Sequence, residues 1–367
     1  MSQKKRLFAV AALSMASAAA MAQTSVSLYG IVDAAVRSES TVTAGTNGGH
    51  VKGLAAGGMS QSRLGVNISE DMGDGWRAVA NIEHRLMSDT GAQSSASDFW
   101  RQAWVGLITP VGRITLGRQY NVLFDLTTST FAAYKYSPYI EQFKPELGLS
   151  VGNRQSNMVK YALSQGPFTM EAQISAGEGT GDKTIGGMAR YQMGGFAFGA
   201  GMLNAKDPAG KQVKGTVFGA GYNAGPLYLN LGYGKNKFDA GFSPALIVGY
   251  STALVSPATP GNQILSAIAF DVKDRDLLSM GFTYDLTSQF NIGAQYYKMS
   301  QSHRSPLAGG RESEANMFSI VADYKLSKRT DVYAEYDKIS ISSSSPLTFV
   351  NGKRGRTGYM AGVRHRF

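Results

Sequence analysis

The side chains able to break bonds are few and scattered. The chain has no Cys, so neither a disulfide framework nor a Cys-based zinc site is possible. Its four histidines, His50, His84, His303 and His365, lack the spacing of metal ligands. Neither a G-x-S-x-G nucleophile elbow nor a G-x-x-x-x-G-K-[ST] phosphate loop occurs. Gly219-x-Gly221-x-x-Ala224 has the spacing of a dinucleotide fingerprint, but it sits on an alternating segment that ends in a Gly-Pro turn, with no helix after it. Asp71 and Asp74 belong to a turn rather than a calcium loop. Fixed charges are what remain. Arg63 alternates with Leu64, Val66 and Ile68, and Arg77, Glu83 and Arg85 alternate with Trp76, Ala80 and Ile82. Charges of both signs on one strand face suit a water-filled surface, where they orient dipolar solutes and bias ions. Catalytic, cofactor-binding and metal-binding residues are not expected.

The elements that must carry these charges are strands. Val26, Leu28, Val32, Ala34 and Val36 share one face of the first segment, while Ser25, Ser27, Tyr29, Asp33 and Arg37 share the other. The last segment repeats the pattern, with Tyr359, Ala361, Val363, His365 and Phe367 opposite Met360, Gly362, Arg364 and Arg366. A soluble sandwich also alternates, so the connections must decide the solvent. Seven tight links, near residues 70–75, 109–112, 165–167, 193–195, 224–226, 286–289 and 327–330, interleave with eight longer polar segments. These are at about 38–58, 87–98, 119–155, 177–183, 204–212, 236–275, 299–313 and 339–356. Fifteen connections imply sixteen strands, and short turns at one end with long loops at the other mark an outer-membrane barrel. The charge-free stretch 240–270 is interrupted by Pro244, Pro257 and Pro260, which makes it a loop rather than a membrane helix. Without such a helix, only a closed barrel satisfies every backbone group in lipid. The expected fold is therefore an all-β, sixteen-stranded antiparallel transmembrane β-barrel. With 17 Phe, 18 Tyr and 3 Trp, the chain can also supply aromatic girdles at the rims; Trp76, Phe168, Phe196, Tyr222, Phe290 and Tyr324 fall where strands meet turns.

The N-terminus reads as an export signal. Lys4, Lys5 and Arg6 precede an apolar run that closes on Ala20-Met21-Ala22, which predicts a cleaved secretory signal peptide over 1–22 and a single barrel domain over 23–367. Removing those three cations leaves 33 basic against 26 acidic side chains. The surplus is dispersed over strands and loops, and with export it argues against nucleic acid as a partner.

Five segments carry a resemblance: residues 24–33 (TSVSLYGIVD), 62–83 (SRLGVNISEDMGDGWRAVANIE), 101–120 (RQAWVGLITPVGRITLGRQY), 326–337 (LSKRTDVYAEYD) and the closing GVRHRF. Through nearly all of the chain beyond the signal, the sequence resembles the general porins of Gram-negative outer membranes, the betaproteobacterial and neisserial trimeric type. The resemblance implies a homotrimer in the outer membrane that lets ions and small hydrophilic solutes diffuse passively, with a third loop folded inward. Its implied surroundings are outer-membrane lipid and lipopolysaccharide. It also implies an assembly machinery that reads the terminal Phe367.

On this resemblance, Arg63 and Arg101 form a basic ladder on the wall of the pore constriction, Glu83 is its inward carboxylate, and Asp125 comes from the third loop, 119–155. Glu141 and Glu146 are further loop acids, and which acids reach the waist is left open. Arg85 is a cation beyond the family's pattern. Arg154 and Lys160 add positive charge near the loop's return, Arg118 has a parity that suits a brace, and the run from Phe131 to Tyr136 would pack the loop on the wall. A surplus of cations at the waist predicts modest anion selectivity, and Lys52, placed in the first surface loop, should matter little. Two other classes compete with a channel: a lipid-modifying barrel enzyme, which would need a Ser-His constellation on the lipid-facing wall, and a structural or adhesive barrel, which has no use for inward arginines.

Overall fold

The computed structural model describes residues 24–40, 50–92, 100–132, 152–178, 183–242, 264–265, 272–304, 312–343, 348–349 and 353–367. The expected signal segment 1–22 lies outside them, as do Tyr134, Tyr136, Glu141 and Glu146. The alternating segments form β1 (Thr24–Ser40), β2 (His50–Ala56), β3 (Arg63–Gly73), β4 (Trp76–Arg85), β5 (Trp100–Thr109) and β6 (Gly112–Tyr120). A helix, α1 (Val122–Thr130), precedes β7 (Arg154–Gln165), β8 (Phe168–Ser175), β9 (Lys183–Met193), β10 (Phe196–Lys206), β11 (Gln212–Ala224) and β12 (Leu227–Phe238). Then come β13 (Ile264–Leu265), β14 (Val272–Asp285), β15 (Phe290–His303), β16 (Ser313–Lys325), β17 (Thr330–Ile341), β18 (Thr348–Phe349) and β19 (Gly355–Arg366).

Every long strand pairs antiparallel with its sequence neighbours, and β1 pairs with β19 to close the cylinder. β13 and β18 form a separate two-residue ladder. Sixteen staves result because β2 and β3 share one position: β1 pairs with β2 through residues 34–40 and with β3 through residues 24–31. Seven two- to four-residue links join strands at one end, at the positions the turn residues predict. Gly166 (φ 57°) and Gly225 (φ 58°), each followed by Pro, adopt the left-handed backbone that such a tight reversal requires.

The first long connection is shorter than expected. Instead of a loop over 38–58, β1 runs to Ser40 and β2 begins at His50, so Lys52 lies on a strand opposite Ser38. Gly53, Ala55 and Ala56 mute the alternation that would have marked this strand; its partner β1 supplies the order. β15, β17 and β19 likewise extend beyond the loop borders expected at 299, 339 and 356.

Outward side chains are apolar and exposed, as for Val26, Leu28, Phe198, Met202, Phe218 and Leu231, which is what a lipid-facing band requires. Aromatic residues at the turn end pair across strands: Phe168 lies 4.8 Å from Tyr191, and Phe196 lies 4.2 Å from Tyr222. The inner face is mostly polar but carries apolar patches, one of them Leu277, Met299, Met317 and Ile339 on β14 to β17, and at two others chain folds inward. Between β2 and β3, residues 57–62 turn in over β1: Asp33 accepts from the N–H groups of Gly58 (3.0 Å) and Ser60 (2.7 Å), and Met59 packs against Ala35, Tyr333 and Met360. After β6, α1 enters the barrel.

Candidate functional site

The helix is fixed at its root by polar bonds. The Asn121 side-chain oxygen accepts from Phe124 N–H at 2.9 Å, and its amide donates to Gly152 O at 2.8 Å across the loop. The N–H of Val122 donates to Gln173 Oε1 of β8 at 2.7 Å, satisfying another of the helix's orphan donors. From there α1 lies against the inner faces of β8 to β11. Leu123, Leu126 and Phe131 are fully or almost fully buried, in one cluster with Leu203, Val213 and Val217 of the wall.

Glycines on the wall make this fit possible. A Cβ on Gly199 would overlap Leu126, one on Gly201 would overlap Leu123, and one on Gly219 or Gly232 would overlap the Phe131 ring. A Cβ on Gly221 would meet the carbonyl oxygen of Thr130. These sockets also account for the fingerprint-like spacing of Gly219 and Gly221: they receive a loop, not a pyrophosphate. Leu203, Ala205, Val213 and Val217 make this inner wall apolar because the loop, not water, covers it. Each buried Leu or Phe contributes about 1.5–3 kcal/mol, enough together to hold the loop inward.

Beside the first turn of α1 the structure sets Arg63 and Arg101 on one carboxylate, with Arg85 opposite Arg63 and Arg154 sharing a partner with Arg101. Glu83, 2% exposed, lies with Oε1 3.4 Å from Arg101 Nε and Oε2 3.9 Å from Arg63 Nη1, and it accepts from the Tyr29 hydroxyl at 3.1 Å. Arg85 stands directly opposite Arg63 across β3 and β4. Strict alternation would send Arg101 outward with Val105 and Leu107. However, Glu83 pairs with Gln102 while His84 pairs with Trp100, so Arg101 is the extra residue of a β-bulge and turns inward. Its Nη2 donates to the Tyr120 hydroxyl at 2.9 Å, and Arg154 Nη2 donates to the same oxygen at 3.2 Å. The Arg154 guanidinium also covers the Tyr120 ring, 4.6 Å from its centroid, while that ring stacks on Phe124 of α1 at 4.2 Å. Tyr120 thus couples the arginines to the helix.

Asp125 does not join this cluster. Its Oδ2 lies 2.5 Å from Lys160 Nζ, which also donates to Tyr120 O at 3.0 Å and lies 3.9 Å from Glu171 Oε2. The loop acid is therefore balanced by a wall lysine. A cavity of 410 Å³ opens between α1 and the wall here, lined by Trp104, Arg113, Asp125, Lys160, Glu171 and Arg190 among others. Arg118 sits on the side of β6 that carries Ile114 and Leu116, and it braces neighbouring strands by donating to Trp100 O (3.2 Å) and Ser156 Oγ (2.9 Å). Sequence reasoning missed Tyr120, Glu171 and the glycine sockets. The glycines left a readable signal, inward parity on three adjacent strands, whereas Tyr120 looks like any aromatic at a strand end.

At the barrel seam Phe367 extends the ladder between β1 and β19: Gly30 N–H donates to Phe367 O at 3.0 Å, and Phe367 N–H donates to Gly30 O at 3.1 Å. Its ring covers Gly30, where a Cβ would overlap it.

The description of Gram-negative porins matches residues 9–343. Outer membrane porin protein 32 of Delftia acidovorans is 31% identical over 250 residues, 65% of this chain and 61% of that protein. An outer membrane porin protein of Bordetella pertussis is 34% identical over 175 residues, 43% of this chain and 42% of that one. The matches thus span less than two thirds of these relatives' lengths. Among solved structures, an anion-selective porin from Comamonas acidovorans gives a TM-score of 0.72 at 22% identity, covering 94% of this chain and 100% of that chain. In vitro folded OmpT of Vibrio cholerae, in its trimer form, gives 0.64 at 17% identity, covering 94% and 99%. At these identities the structural likeness shows the fold.

Proposed function

From the premise that this chain belongs to the Gram-negative porin family and is an integral β-barrel of the outer membrane, we propose that it forms a water-filled channel for passive diffusion of ions and small hydrophilic solutes, modestly selective for anions. The constriction lies beside α1 and is formed by Arg63, Glu83, Arg85, Arg101 and Asp125. One observation carries the reading: among the described residues Arg63 and Arg101 both lie on the carboxylate of Glu83, with Arg85 opposite Arg63 and Arg154 sharing the Tyr120 hydroxyl with Arg101, while Asp125 is held by Lys160. Among the described residues the surplus there is cationic, and the first turn of α1 adds its partial positive charge. At an effective dielectric near 20, two unit charges about 4 Å apart interact by roughly 4 kcal/mol, enough to bias ion traffic without stopping it. The family relatives favour a channel over a lipid-modifying or adhesive barrel, and the anion-selective character printed for the Comamonas porin agrees in sign. The same reading makes the chain a homotrimer, in keeping with the trimer form of the Vibrio protein.

The test is conductance of purified, folded protein in planar bilayers. Step-like openings and a reversal potential of anion-preferring sign in a potassium chloride gradient are expected. No conductance would overturn the channel, and a cation-preferring potential would overturn the constriction proposed.

A further inference from the structure

The 410 Å³ cavity between α1 and the wall contains two cations that the constriction does not use, Arg113 and Arg190. Arg113 shares a row of the sheet with Ile108 and Arg77, and Arg77 is six residues along β4 from Glu83, about 20 Å toward the turn end. The Arg113 side chain is half-buried, yet its guanidinium makes no hydrogen bond or ion pair among the described residues. Arg190, on β9, donates to Gln192 of its own strand, and its Nε is buried without a hydrogen-bond partner. The third cation of the cavity is already engaged. Lys160 lies 2.5 Å from Asp125 and 3.9 Å from Glu171, so it serves both acids of the lining. Three cations against two carboxylates leave one positive charge in the recess, carried by the two arginines.

An indole completes the lining. Trp104 stands opposite Asn81 and Gly117, in the inward register, so its ring faces the lumen rather than lipid. Its Nε1 donates to Gln102 Oε1 at 3.4 Å, which fixes the edge of the ring. Among the described residues no other ring and no guanidinium lies on its faces. A half-buried indole with an uncovered face is a poor choice for a wall that serves only water and ions, because apolar surface left in water is unfavourable. Met188, on β9 beside Arg190, adds a buried thioether to the same recess. Charge and flat apolar surface are thus both present and both unanswered.

We infer that this recess is a binding site for a small aromatic carboxylate, a single ring bearing one carboxyl group, which rests on the channel reading only for its route of entry through the lumen. The carboxylate takes N–H donors from Arg113 and Arg190, whose backbones stand three strand spacings apart, about 14 Å, with the recess between them. The ring lies on the Trp104 face with the Met188 sulfur at its edge. One excess positive charge suits a monoanion, and Asp125 and Glu171 oppose a second carboxylate. An aliphatic acid of the same charge finds the arginines but gains nothing from the indole face, and a neutral arene finds the face but leaves the arginines unpaired. At 410 Å³ the recess is within the size range of small-ligand pockets.

The test is titration of the folded, full-length protein with benzoate, cyclohexanecarboxylate and benzamide. Binding is read by saturation-transfer NMR in detergent, with empty micelles as the control, and by interruption of single-channel chloride current in planar bilayers. Wild type should bind benzoate about three- to tenfold more tightly than cyclohexanecarboxylate, the increment of one aromatic pair. It should bind benzoate about tenfold or more tightly than benzamide, which lacks the charge. Arg113→Gln with Arg190→Gln should weaken benzoate about tenfold or more. Trp104→Leu keeps every charge and should make benzoate and cyclohexanecarboxylate bind alike, while Trp104→Phe should restore the preference for benzoate. Equal binding of the two acids by wild type, or a preference that survives Trp104→Leu, overturns the aromatic site; an unchanged benzoate affinity in the double arginine variant overturns the carboxylate position. The ligand series on wild type decides the matter even where a variant fails to fold. Benzoate binding by NMR without any chloride conductance would sink the channel and leave the site standing, whereas conductance without a preference for benzoate would do the reverse.

Discussion

Arg101 owes its place to one extra residue. Alternation along β5 would have turned it to lipid, where an unpaired guanidinium is costly; the bulge opposite Glu83 and His84 instead folds it onto Glu83 and Tyr120. Parity alone suffices for Arg63, Glu83 and Arg85, whose strands are regular there, but not for Arg101, which only the family resemblance placed inward. A bulge leaves no mark in hydrophobic alternation, so this part of the site was not legible from period two. The electrostatic consequence can be measured. Replacing Arg63 and Arg101 together by Ser removes the two cations within 4 Å of Glu83 and lets its negative charge weigh more in the local field. The anion-to-cation permeability ratio should fall about twofold or more, with a small rise in conductance from the lost side-chain volume. Lys52→Ser should leave the reversal potential within error, because that residue lies on β2 in the outward register of Leu54 and Val36 rather than in the lumen. An unchanged reversal potential in the double variant would remove these arginines from the constriction.

At the scale of elements, the loop that narrows the barrel is held by the wall it faces and not by its own helix propensity. Val122–Thr130 is nine residues with three threonines, too short and too β-branched to persist alone. What holds it is the Asn121 cap, the Gln173 contact and the fit of Leu123, Leu126 and Phe131 into glycine sockets on β10, β11 and β12. Loop length and the aromatic run beginning at Phe131 made an inward loop legible in sequence, while the sockets were legible only as glycines on one face, without an occupant. Two substitutions separate packing from charge. Gly219→Leu puts a side chain where the Phe131 ring lies, so α1 must move toward the lumen; single-channel conductance should fall while the sign of selectivity holds. Phe131→Ala empties the socket at a cost of about 3 kcal/mol or more, so α1 should loosen, with greater open-channel noise and faster proteolysis within Val122–Thr130. If both variants conduct like wild type, the helix does not border the narrowest section.

Seen whole, the molecule is a closed ladder whose two ends must find each other, and this long-range step is what sequence specifies least locally. Strand count, turn positions and lipid face follow from alternation and turn residues. The double occupancy of one stave by β2 and β3 does not, because Gly53, Ala55 and Ala56 carry little pattern and the break at 57–62 is ordered by Asp33 and Tyr333, the latter far away in the chain. Export comes first in time: cleavage after Ala22 should leave Gln23 at the N-terminus of the membrane-embedded protein, which intact-mass measurement would confirm or refute. Closure comes last. β19 lies between β17 and β1, and its final bonds are the reciprocal pair between Phe367 and Gly30. The Phe367 ring covers the glycine, so it contributes both interfacial anchoring and cover for a residue with no side chain of its own. Those contacts lie on the seam at the turn end, on the outer face, away from the arginines around Glu83. Phe367→Ala should therefore keep both backbone bonds but lose the ring: folded, heat-resistant protein in the outer membrane should drop several-fold, while the molecules that do assemble should show wild-type conductance and selectivity. Gly30→Val, which drives a side chain into the ring, should reproduce the assembly defect with Phe367 still present. If Phe367→Ala reaches wild-type surface levels, the terminal ring has no part in assembly; if only Gly30→Val assembles normally, the terminus acts through recognition by the assembly machinery and not through closure of the seam.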